Sequence, residues 1–342
     1  EGKWFLVSIF NGIMTFIILS QYIYGSFISG QMVLIGTLFA LYGYIERMNG
    51  TFFRFAYLYS DIARAKTAVK NSEELSKEFK IKQTNSGVLT EKKWSEVKVK
   101  SLVFSYEDKT GSKLHLDNVS LTLKKGQRVA LIGESGGGKT TFLKVMRGLY
   151  EPKKIELYLD GNLLQEGFKS ISENISLIPQ DPEIFNSTIL DNITVGVKHK
   201  LAFVTKFTDL ASFTQVVNRL PKKFQSSIVE KGVNLSGGEK QRLALARGLL
   251  ASVDKEIILL DEPTSSVDFK NELLIYQNIF REFLDKTIIS SIHRLHLLHL
   301  FDCIYFFKGG KVIASGTLKE LISNSEEFKT MWDKYRKQHK EP

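Results

Sequence analysis

A glycine-rich loop between a short apolar strand and a predicted helix constrains the fold of this chain more than any other feature. Val129 to Gly133 is an apolar run, Gly133 to Thr140 read GESGGGKT, and a helical pattern follows through Leu149. This order of strand, glycine loop and helix is the context that a phosphate-binding loop requires. It predicts an α/β domain whose central strands are parallel and buried.

The residue types of this loop suit an anionic ligand. Glycine lets backbone N–H groups approach phosphate oxygens without a Cβ in the way, and the following helix adds the positive end of its dipole. We expect Lys139 to reach the β- and γ-phosphates of a nucleotide, and the hydroxyl of Thr140 to bind Mg²⁺. The predicted nucleotide-binding residues of the loop are Gly133, Glu134, Ser135, Gly136, Gly137, Gly138, Lys139, Thr140 and Thr141.

A second apolar strand ends in two carboxylates. Ile257 to Leu260 is followed directly by Asp261 and Glu262. In a protein with a phosphate loop, we expect Asp261 to hold the Mg²⁺ shell and Glu262 to orient or deprotonate the attacking water. For this segment taken alone, a strand that simply ends in surface acids is the alternative.

The rest of the chain from Val97 onward also has an α/β pattern. Val97–Tyr106 and Val119–Leu123 alternate as antiparallel strands do, and Thr287–Ser290 and Cys303–Phe307 are predicted to be later strands. Phe185–Lys231 is predicted to be a mostly helical insertion. With 342 residues, of which 43% are hydrophobic, the chain is long enough for one or two globular domains.

Two uncharged stretches precede this domain. Trp4–Tyr24 and Gln31–Ile45 carry no charged side chain, and a turn at Gly25–Gly30 joins them. The first stretch is near the roughly 20 residues that a helix needs to span a bilayer. We therefore predict an all-α transmembrane hairpin with a cytoplasmic helical extension, and a buried soluble helix is the alternative. The expected domains are the hairpin and its extension at 1–70, a linker at 71–94 and a nucleotide-binding domain at 95–342.

The distribution of basic residues supports an orientation for this hairpin. Lys3 precedes the first span, several Lys and Arg residues follow the second, and the turn carries no charge. We expect both ends to face the cytoplasm. The formal net charge of +10 then needs no nucleic acid partner, because part of it is this excess beside the membrane, which favours anionic lipid. Cys303 is the only cysteine, so an internal disulfide is excluded and a reducing compartment is expected.

The motifs of the second domain together resemble the nucleotide-binding domain of the ATP-binding cassette (ABC) superfamily. The resemblance covers residues 97 to 327 and includes a P-loop NTPase fold with an antiparallel β subdomain and a helical subdomain. LSGGE at Leu235–Glu239, continuing as KQRLALARGLL, is similar to the signature motif of that family. The resemblance implies that Ser236, Gly237 and Gly238 face a γ-phosphate bound by a second cassette. A Ser-Gly-Gly helix cap is the alternative for these residues.

Three smaller elements also match that family. Tyr106 in FSYED stands where the family stacks an aromatic ring on adenine, although Tyr106 alone could be an ordinary strand residue. Gln180 is similar to the glutamine that contacts Mg²⁺ and senses the membrane domain. Asp268 in SSVD is similar to the end of the loop that crosses the dimer interface, with Ser and Val where Ala and Leu are commoner.

His293 in SIHRL matches the switch histidine that contacts the γ-phosphate in this family. His296 and His299 follow at a spacing that a metal site could use, but neither a carboxylate nor a cysteine accompanies them in the sequence. The resemblance therefore implies that the catalytic residues are Glu262, His293 and Gln180, and that the Mg²⁺ ligands are Thr140, Gln180 and Asp261.

Several features look like the exporter type of cassette. The segment PQDPEIFNSTILDNI at Pro179–Ile193 and the residues Glu230 to Asn234 resemble exporter forms. The hairpin in front is similar to the last two of six membrane helices in an exporter half-transporter. Since the chain begins at Glu1 without a methionine, we expect it to be a fragment that lacks four upstream membrane helices.

The resemblance implies a function and its partners. The chain is expected to be an ATP-binding and ATP-hydrolysing subunit of an ABC exporter, with ATP and Mg²⁺ as cofactors. The expected partners are a second half-transporter subunit in a homodimer or heterodimer, membrane lipid and an unidentified transported substrate. We expect an integral membrane protein whose nucleotide-binding domain lies in the cytoplasm. An ATP-gated channel or a regulatory ABC protein is the main alternative, and a soluble ABC ATPase is the next.

Overall fold

The computed structural model describes residues 2–78, 89, 93–106, 115–181, 183–228 and 235–339. Side chains are not described for residues 1–7, for several positions between 52 and 78, and for residues 338 and 339. The predicted exporter segment Glu230 to Asn234 therefore lies outside the described residues, as do the last two residues of FSYED. The chain forms two compact units, Glu1–Lys82 and Gln83–Pro342.

The first unit consists of two helices that contact each other, α1 (Gly2–Ile28) and α2 (Ile35–Glu78). The predicted turn at Gly25–Gly30 starts later than expected, because α1 continues through Ile28 and the chain turns at Gly30, where φ is +66°. α2 continues past the expected boundary at residue 70, through a stretch that contains three Glu, one Leu and one Lys, which favour helix.

Large apolar side chains are exposed on both helices of this unit. Phe16 is 74% exposed, Phe27 83% and Phe39 79%. Among the described residues, no helix is both long enough and apolar enough to cross a membrane. The predicted span Trp4–Tyr24 begins among residues whose side chains are not described.

The second unit is an α/β domain. Its strands are β1 (Glu96–Phe104), β2 (Leu116–Lys124), β3 (Arg128–Gly133), β4 (Lys154–Leu159), β5 (Asn162–Leu163), β6 (Ile175–Ile178), β7 (Ile257–Asp261), β8 (Thr287–Ser291), β9 (Cys303–Lys308) and β10 (Lys311–Gly316). Its helices are α3 (Lys139–Met146), α4 (Ile189–Thr194), α5 (Leu201–Leu210), α6 (Thr214–Arg219), α7 (Gly237–Ala251), α8 (Phe269–Glu282), α9 (Leu318–Asn324) and α10 (Glu326–His339).

These strands form two sheets. A four-stranded antiparallel sheet has the order β2-β1-β4-β5, and a six-stranded sheet has the order β10-β9-β3-β8-β7-β6. In the larger sheet only the β9–β10 pair is antiparallel, so the carboxyl ends of β3, β6, β7 and β8 lie along one edge. The phosphate loop, Gln180, Glu262 and His293 all follow strands of this edge, where open α/β sheets bind ligands.

β3 shows how the larger sheet is buried on both faces. Ala130 and Ile132 belong to a core that also contains residues of α5, α7 and α8, whereas Val129 and Leu131 belong to a core shared with β1, β2 and α3. All four side chains are fully buried. Since successive side chains of a strand point to opposite faces, β3 fixes the base of the loop from both sides.

α7 lies unusually close to the sheet at its C-terminal half. A Cβ added to Gly248 would come within 2.5 Å of Cγ1 of Ile178, the last residue of β6. Glycine is needed at this position because the partner is a buried side chain in contact with the helix backbone.

Candidate functional site

The phosphate loop has a backbone shape that two of its glycines make possible. Gly133 ends β3 with φ +133°, and a Cβ there would overlap the carbonyl oxygen of Phe307. Gly138 caps α3 with φ +106°, and a Cβ there would lie 3.0 Å from the carbonyl oxygen of His115. The loop therefore forms a cradle of backbone N–H groups at the start of a helix, which suits a phosphate group.

Lys139 lies within this cradle and is only 5% exposed. Its Nζ donates hydrogen bonds to the carbonyl oxygens of Gly133, at 2.7 Å, and Glu134, at 3.0 Å. Burial lowers the pKa of Lys139, and the nearby charges of Glu262 and Asp261 oppose this shift. A buried amine in this position gains from an anionic ligand that supplies further acceptors.

Asp261 connects the first turn of α3 to the ends of β7 and β8. Thr140 Oγ1 donates to Asp261 Oδ1 at 2.9 Å, and Ser291 Oγ donates to the same oxygen at 2.9 Å. Ser291 Oγ also accepts from the backbone N–H of Glu262 at 2.9 Å. Ser291 was not predicted as a site residue, although it is the first residue of SIHRL and directly follows the predicted strand Thr287–Ser290.

The three residues predicted to be catalytic are in direct contact. Glu262 Oε1 lies 2.5 Å from His293 Nε2, and Glu262 Oε2 accepts from Gln180 Nε2 at 3.0 Å. The Glu262 side chain is 14% exposed and the His293 side chain 44% exposed. Glu262 also has φ +47°, a left-handed conformation that is unusual for a residue other than glycine. Such a conformation is held by its surroundings and is common at functional sites.

These residues line a common cavity of about 510 Å³. Its walls include the loop residues Ser135 to Thr141, together with Gln180, Glu262 and His293. The first two loop residues, Gly133 and Glu134, do not line the cavity, and their carbonyl oxygens accept from Lys139.

The oxygen atoms beside the cavity fit a magnesium ion. Thr140 supplies a hydroxyl, Asp261 a carboxylate and Gln180 an amide oxygen, and hard oxygen ligands are what Mg²⁺ prefers. Among the described residues, no group of three or more His, Cys, Asp or Glu side chains is placed to hold a metal ion.

Tyr106 lies beside the cavity without lining it. Its ring packs edge-on against Phe104, His115 and Tyr150, with centroid distances of 4.9, 4.8 and 5.0 Å. His115 belongs to the cavity wall. Tyr106, which was predicted to stack on a nucleotide base, is thus part of an aromatic cluster. His115 is the member of this cluster that lines the cavity.

The predicted signature residues lie apart from this cavity. Ser236 caps α7 in a capping box with Glu239, whose carboxylate accepts from the Ser236 N–H at 2.9 Å. Ser236 and Gly237 are exposed. Asp268 is also exposed and caps α8 by accepting from the N–H of Asn271 at 3.0 Å. These residues therefore do not join the loop residues within one chain.

His296 and His299, which the sequence left open as a metal site, have other contacts. His296 is buried, stacks on Phe269 at a centroid distance of 3.8 Å, and lies 3.5 Å from the carboxylate of Glu272. A ring nitrogen of His299 lies 2.5 Å from the carbonyl oxygen of His296.

Two further side chains hold the loop that follows Glu262, and the sequence did not reveal them. Gln241 in α7 and Arg294, next to His293, both form hydrogen bonds with residues 265 to 267. Their position in the sequence is the signal that could have found them. Arg294 directly follows His293, and Gln241 lies two residues after LSGGE.

This chain is similar to known ABC transporter proteins. The family model described as "ABC transporter" matches residues 116–265. The chain is 36% identical over 229 residues to ABC transporter B family member 2 of Dictyostelium discoideum, an alignment that covers 66% of this chain and 16% of that protein. It is 36% identical over 211 residues to the transport/processing ATP-binding protein ComA of Streptococcus pneumoniae, which covers 61% of this chain and 29% of that protein.

A solved structure is similar over more of the chain. The structure of a bacterial Atm1-family ABC exporter with ATP bound aligns with a TM-score of 0.76 and 25% identity, covering 96% of this chain and 56% of that one. The chain thus spans only part of the length of the relatives it matches.

Proposed function

Because residues 116–265 belong to the ABC transporter family, we propose that this chain is the ATP-binding and ATP-hydrolysing part of an exporter subunit. The observation that supports the proposal most is the contact of Glu262 with both His293 and Gln180, next to the buried amine of Lys139. This arrangement combines an anion cradle with a carboxylate that can accept a proton. Those are the two requirements for attack of water on a phosphoryl group.

Each residue has a separate task in this proposal. The N–H groups of the loop and the ammonium of Lys139 bind the phosphates of ATP, and Glu262 orients the attacking water and accepts its proton. His293 contacts the γ-phosphate and, through Glu262 Oε1, keeps the carboxylate in place. Thr140, Asp261 and Gln180 hold Mg²⁺, which when bound neutralises part of the phosphate charge.

The exposed signature residues support a site completed by a second cassette. Ser236 and Gly237 lie at the exposed N-terminus of α7, which offers backbone donors and a helix dipole to an anion outside this chain. We propose that they contact the γ-phosphate bound by a partner subunit, with Gly238 and Asp268 at the same interface. Two copies of this chain, or one copy and a related subunit, then form two composite sites.

The helical unit is proposed to be part of the membrane domain of an exporter. The alignment with the Atm1-family exporter covers 96% of the chain and so extends into the first unit, and large apolar side chains such as Phe16 and Phe27 are exposed there. Monomeric soluble proteins rarely expose such surfaces. We propose domains at 1–70 and 95–342, with a cytoplasmic nucleotide-binding domain, lipid around the helices, and export of an unidentified substrate.

The catalytic part of the proposal is tested by measuring ATP binding and Mg²⁺-dependent phosphate release by the full chain. Lys139→Ala is expected to abolish binding, because it removes the only side-chain cation placed in the loop. Lys198→Ala, which removes an exposed lysine elsewhere, is the matched control. Phosphate release that persists in Lys139→Ala or in excess EDTA would refute the assignment, whereas binding without release by the unmodified chain would favour the gated or regulatory alternative.

The membrane part is tested separately by expressing the full chain in cells and extracting the membranes with alkaline carbonate. We expect the chain to stay in the pellet and to enter solution only with detergent. Release by carbonate alone would rule out an integral membrane domain within residues 1–70, and it would leave the ATPase assignment unaffected.

A further inference from the structure

The loop that follows Glu262 is held by a side chain from the signature helix of the same chain. Gln241 lies in α7 and is 6% exposed. Its Nε2 donates to the carbonyl oxygen of Glu262 at 3.2 Å and to Ser265 Oγ at 2.8 Å, and its Oε1 accepts from the N–H of Ser266 at 2.9 Å. One buried amide thus contacts both ends of the loop.

Glu262, whose carbonyl oxygen accepts from Gln241, has an unusual backbone conformation. Glu262 is in the left-handed region at φ +47°, and both of its backbone polar groups are held by side chains. Its N–H donates to Ser291 Oγ, and its carbonyl oxygen accepts from Gln241. A backbone conformation of this kind persists only where its surroundings fix it. Together with the Ser265 N–H, which donates to the same carbonyl oxygen at 3.3 Å, these two contacts hold the backbone from which the Glu262 carboxylate reaches Gln180 and His293.

The signature motif touches the same loop one helical turn earlier. A Cβ added to Gly238 would lie 2.5 Å from the carbonyl oxygen of Ser266. Gly238 and Gln241 are three residues apart and so lie on one face of α7. The start of the signature helix is therefore in contact with the loop at two successive points, by close backbone packing and by three hydrogen bonds.

The opposite side of the loop is fixed beside the switch histidine. Arg294 donates from Nη1 to the carbonyl oxygen of Val267 at 2.7 Å and from Nη2 to that of Ser265 at 3.3 Å. Its Nη1 also lies 3.1 Å from the buried carboxylate of Glu272. The loop is thus hydrogen-bonded to α7 on one side and to the segment that carries His293 on the other. A shift of α7 therefore acts on a loop that is held from both sides.

We propose that Gln241 is a positioning residue that couples the two half-sites of one chain. On the proposed function, on which this inference rests, the N-terminus of α7 contacts the nucleotide of the partner, whereas Glu262 orients and deprotonates the water that attacks the nucleotide of its own chain. Gln241 transmits the position of α7 to Glu262. Hydrolysis in one composite site is then sensitive to closure of the other.

The test is Gln241→Met, which keeps the length and volume of the side chain and removes all three hydrogen bonds. We expect kcat for ATP to fall by about 10- to 100-fold, because a displacement near 1 Å at a reacting group has effects of that size. ATP binding is expected to stay within about twofold, since Gln241 does not line the cavity. Gln215→Met, at an exposed position of α6, is the control and should leave both quantities unchanged.

A second readout separates this inference from the proposed function. Hydrogen–deuterium exchange is measured over residues 262–268 of the full chain without nucleotide, where the Ser266 N–H loses its acceptor in Gln241→Met. We expect exchange there to rise at least about tenfold, while the rest of α7 keeps its protection. Unchanged exchange, or a loss of ATP binding equal to the loss of kcat, would overturn the positioning role. A wild-type chain that does not hydrolyse ATP while exchange still rises would refute the proposed function alone.

Discussion

Replacing Glu262 by glutamine separates the proton affinity of this side chain from its shape. In the wild-type site Oε2 accepts from Gln180 Nε2 at 3.0 Å and Oε1 lies 2.5 Å from His293 Nε2. The amide of Glu262→Gln can keep both contacts. Its oxygen accepts from Gln180, and its NH₂ donates to His293 in the tautomer that carries the ring proton on Nδ1. We therefore expect the free energy of unfolding to change by less than about 1 kcal/mol.

The catalytic effect of this substitution is expected to be large. A positioned general base contributes about 10²- to 10⁴-fold to a rate, which corresponds to roughly 2.7–5.5 kcal/mol of activation free energy. The two other carboxylates described at this site are already engaged. Asp261 is 2% exposed and accepts from Thr140 and Ser291, and Glu272, which lines the cavity, accepts from Thr264 and Arg294. kcat should fall by at least about 100-fold while ATP binding is retained.

Single-turnover phosphate release and equilibrium ATP binding measure the two quantities independently. Glu166→Gln, at an exposed position of the same domain, is the control for the loss of one carboxylate and should behave as wild type. A Glu262→Gln chain that hydrolyses ATP within about threefold of the wild-type rate would refute the assignment of Glu262 as the base. A chain that loses ATP binding would show that Glu262 has a structural or binding role instead.

Three further results are expected. Gly238→Ala should lower kcat and cost about 1–3 kcal/mol of stability, because the new Cβ would meet the carbonyl oxygen of Ser266 at 2.5 Å; wild-type melting and turnover would contradict this packing. Burial raises the pKa of the Cys303 thiol, so the thiolate fraction at neutral pH falls. Alkylation of Cys303 by iodoacetamide at pH 7.5 should therefore be slower than in the urea-unfolded chain, and its rate should rise only as the pH approaches the raised pKa. Equal alkylation rates in the folded and unfolded chains would contradict the raised pKa. In dimers of two copies, Ser236→Arg on one and Lys139→Ala on the other should leave one working site, whereas both changes on one copy should leave none; equal activity of the two arrangements would refute composite sites.

The sequence predicted six of the ten described strands and missed four, β4, β5, β6 and β10. The predicted strand at Ile257–Leu260 is β7, and the one at Thr287–Ser290 is β8, each with one further residue. Continuous apolar runs of this kind indicate buried parallel strands. β6 and β10 were not predicted, because the four residues of β6 are too short for a periodic pattern and β10 alternates only weakly. α3 ends at Met146 rather than Leu149, since Gly148 takes φ +79°.

Only part of the candidate site could be predicted from the sequence. Residues inside a continuous motif, such as those of the phosphate loop, could be named from the sequence, and the structure brings Gln180, Glu262 and His293 into contact. Gln241 could not be named, because its function depends on contacts with residues 21 to 25 positions away. Their positions in space depend on how α7 packs, and no local pattern encodes that packing.

Gly248 packs closely on Ile178, so a rigid tilt of α7 turns about this contact, the pivot, near the C-terminal end of the helix. From Gly248 to the cap at Ser236 the helix measures about 18 Å, and to Gln241 about 10 Å, at 1.5 Å per residue. A tilt of about 5° around that contact would move the signature motif by roughly 1.5 Å and Gln241 by roughly 0.9 Å. Because Ile178 leads directly to Gln180, the pivot rests on the strand that carries another residue of the cavity. In such a rigid tilt Gln241, which is bonded to the loop of Glu262, moves by about three fifths of the displacement of Ser236.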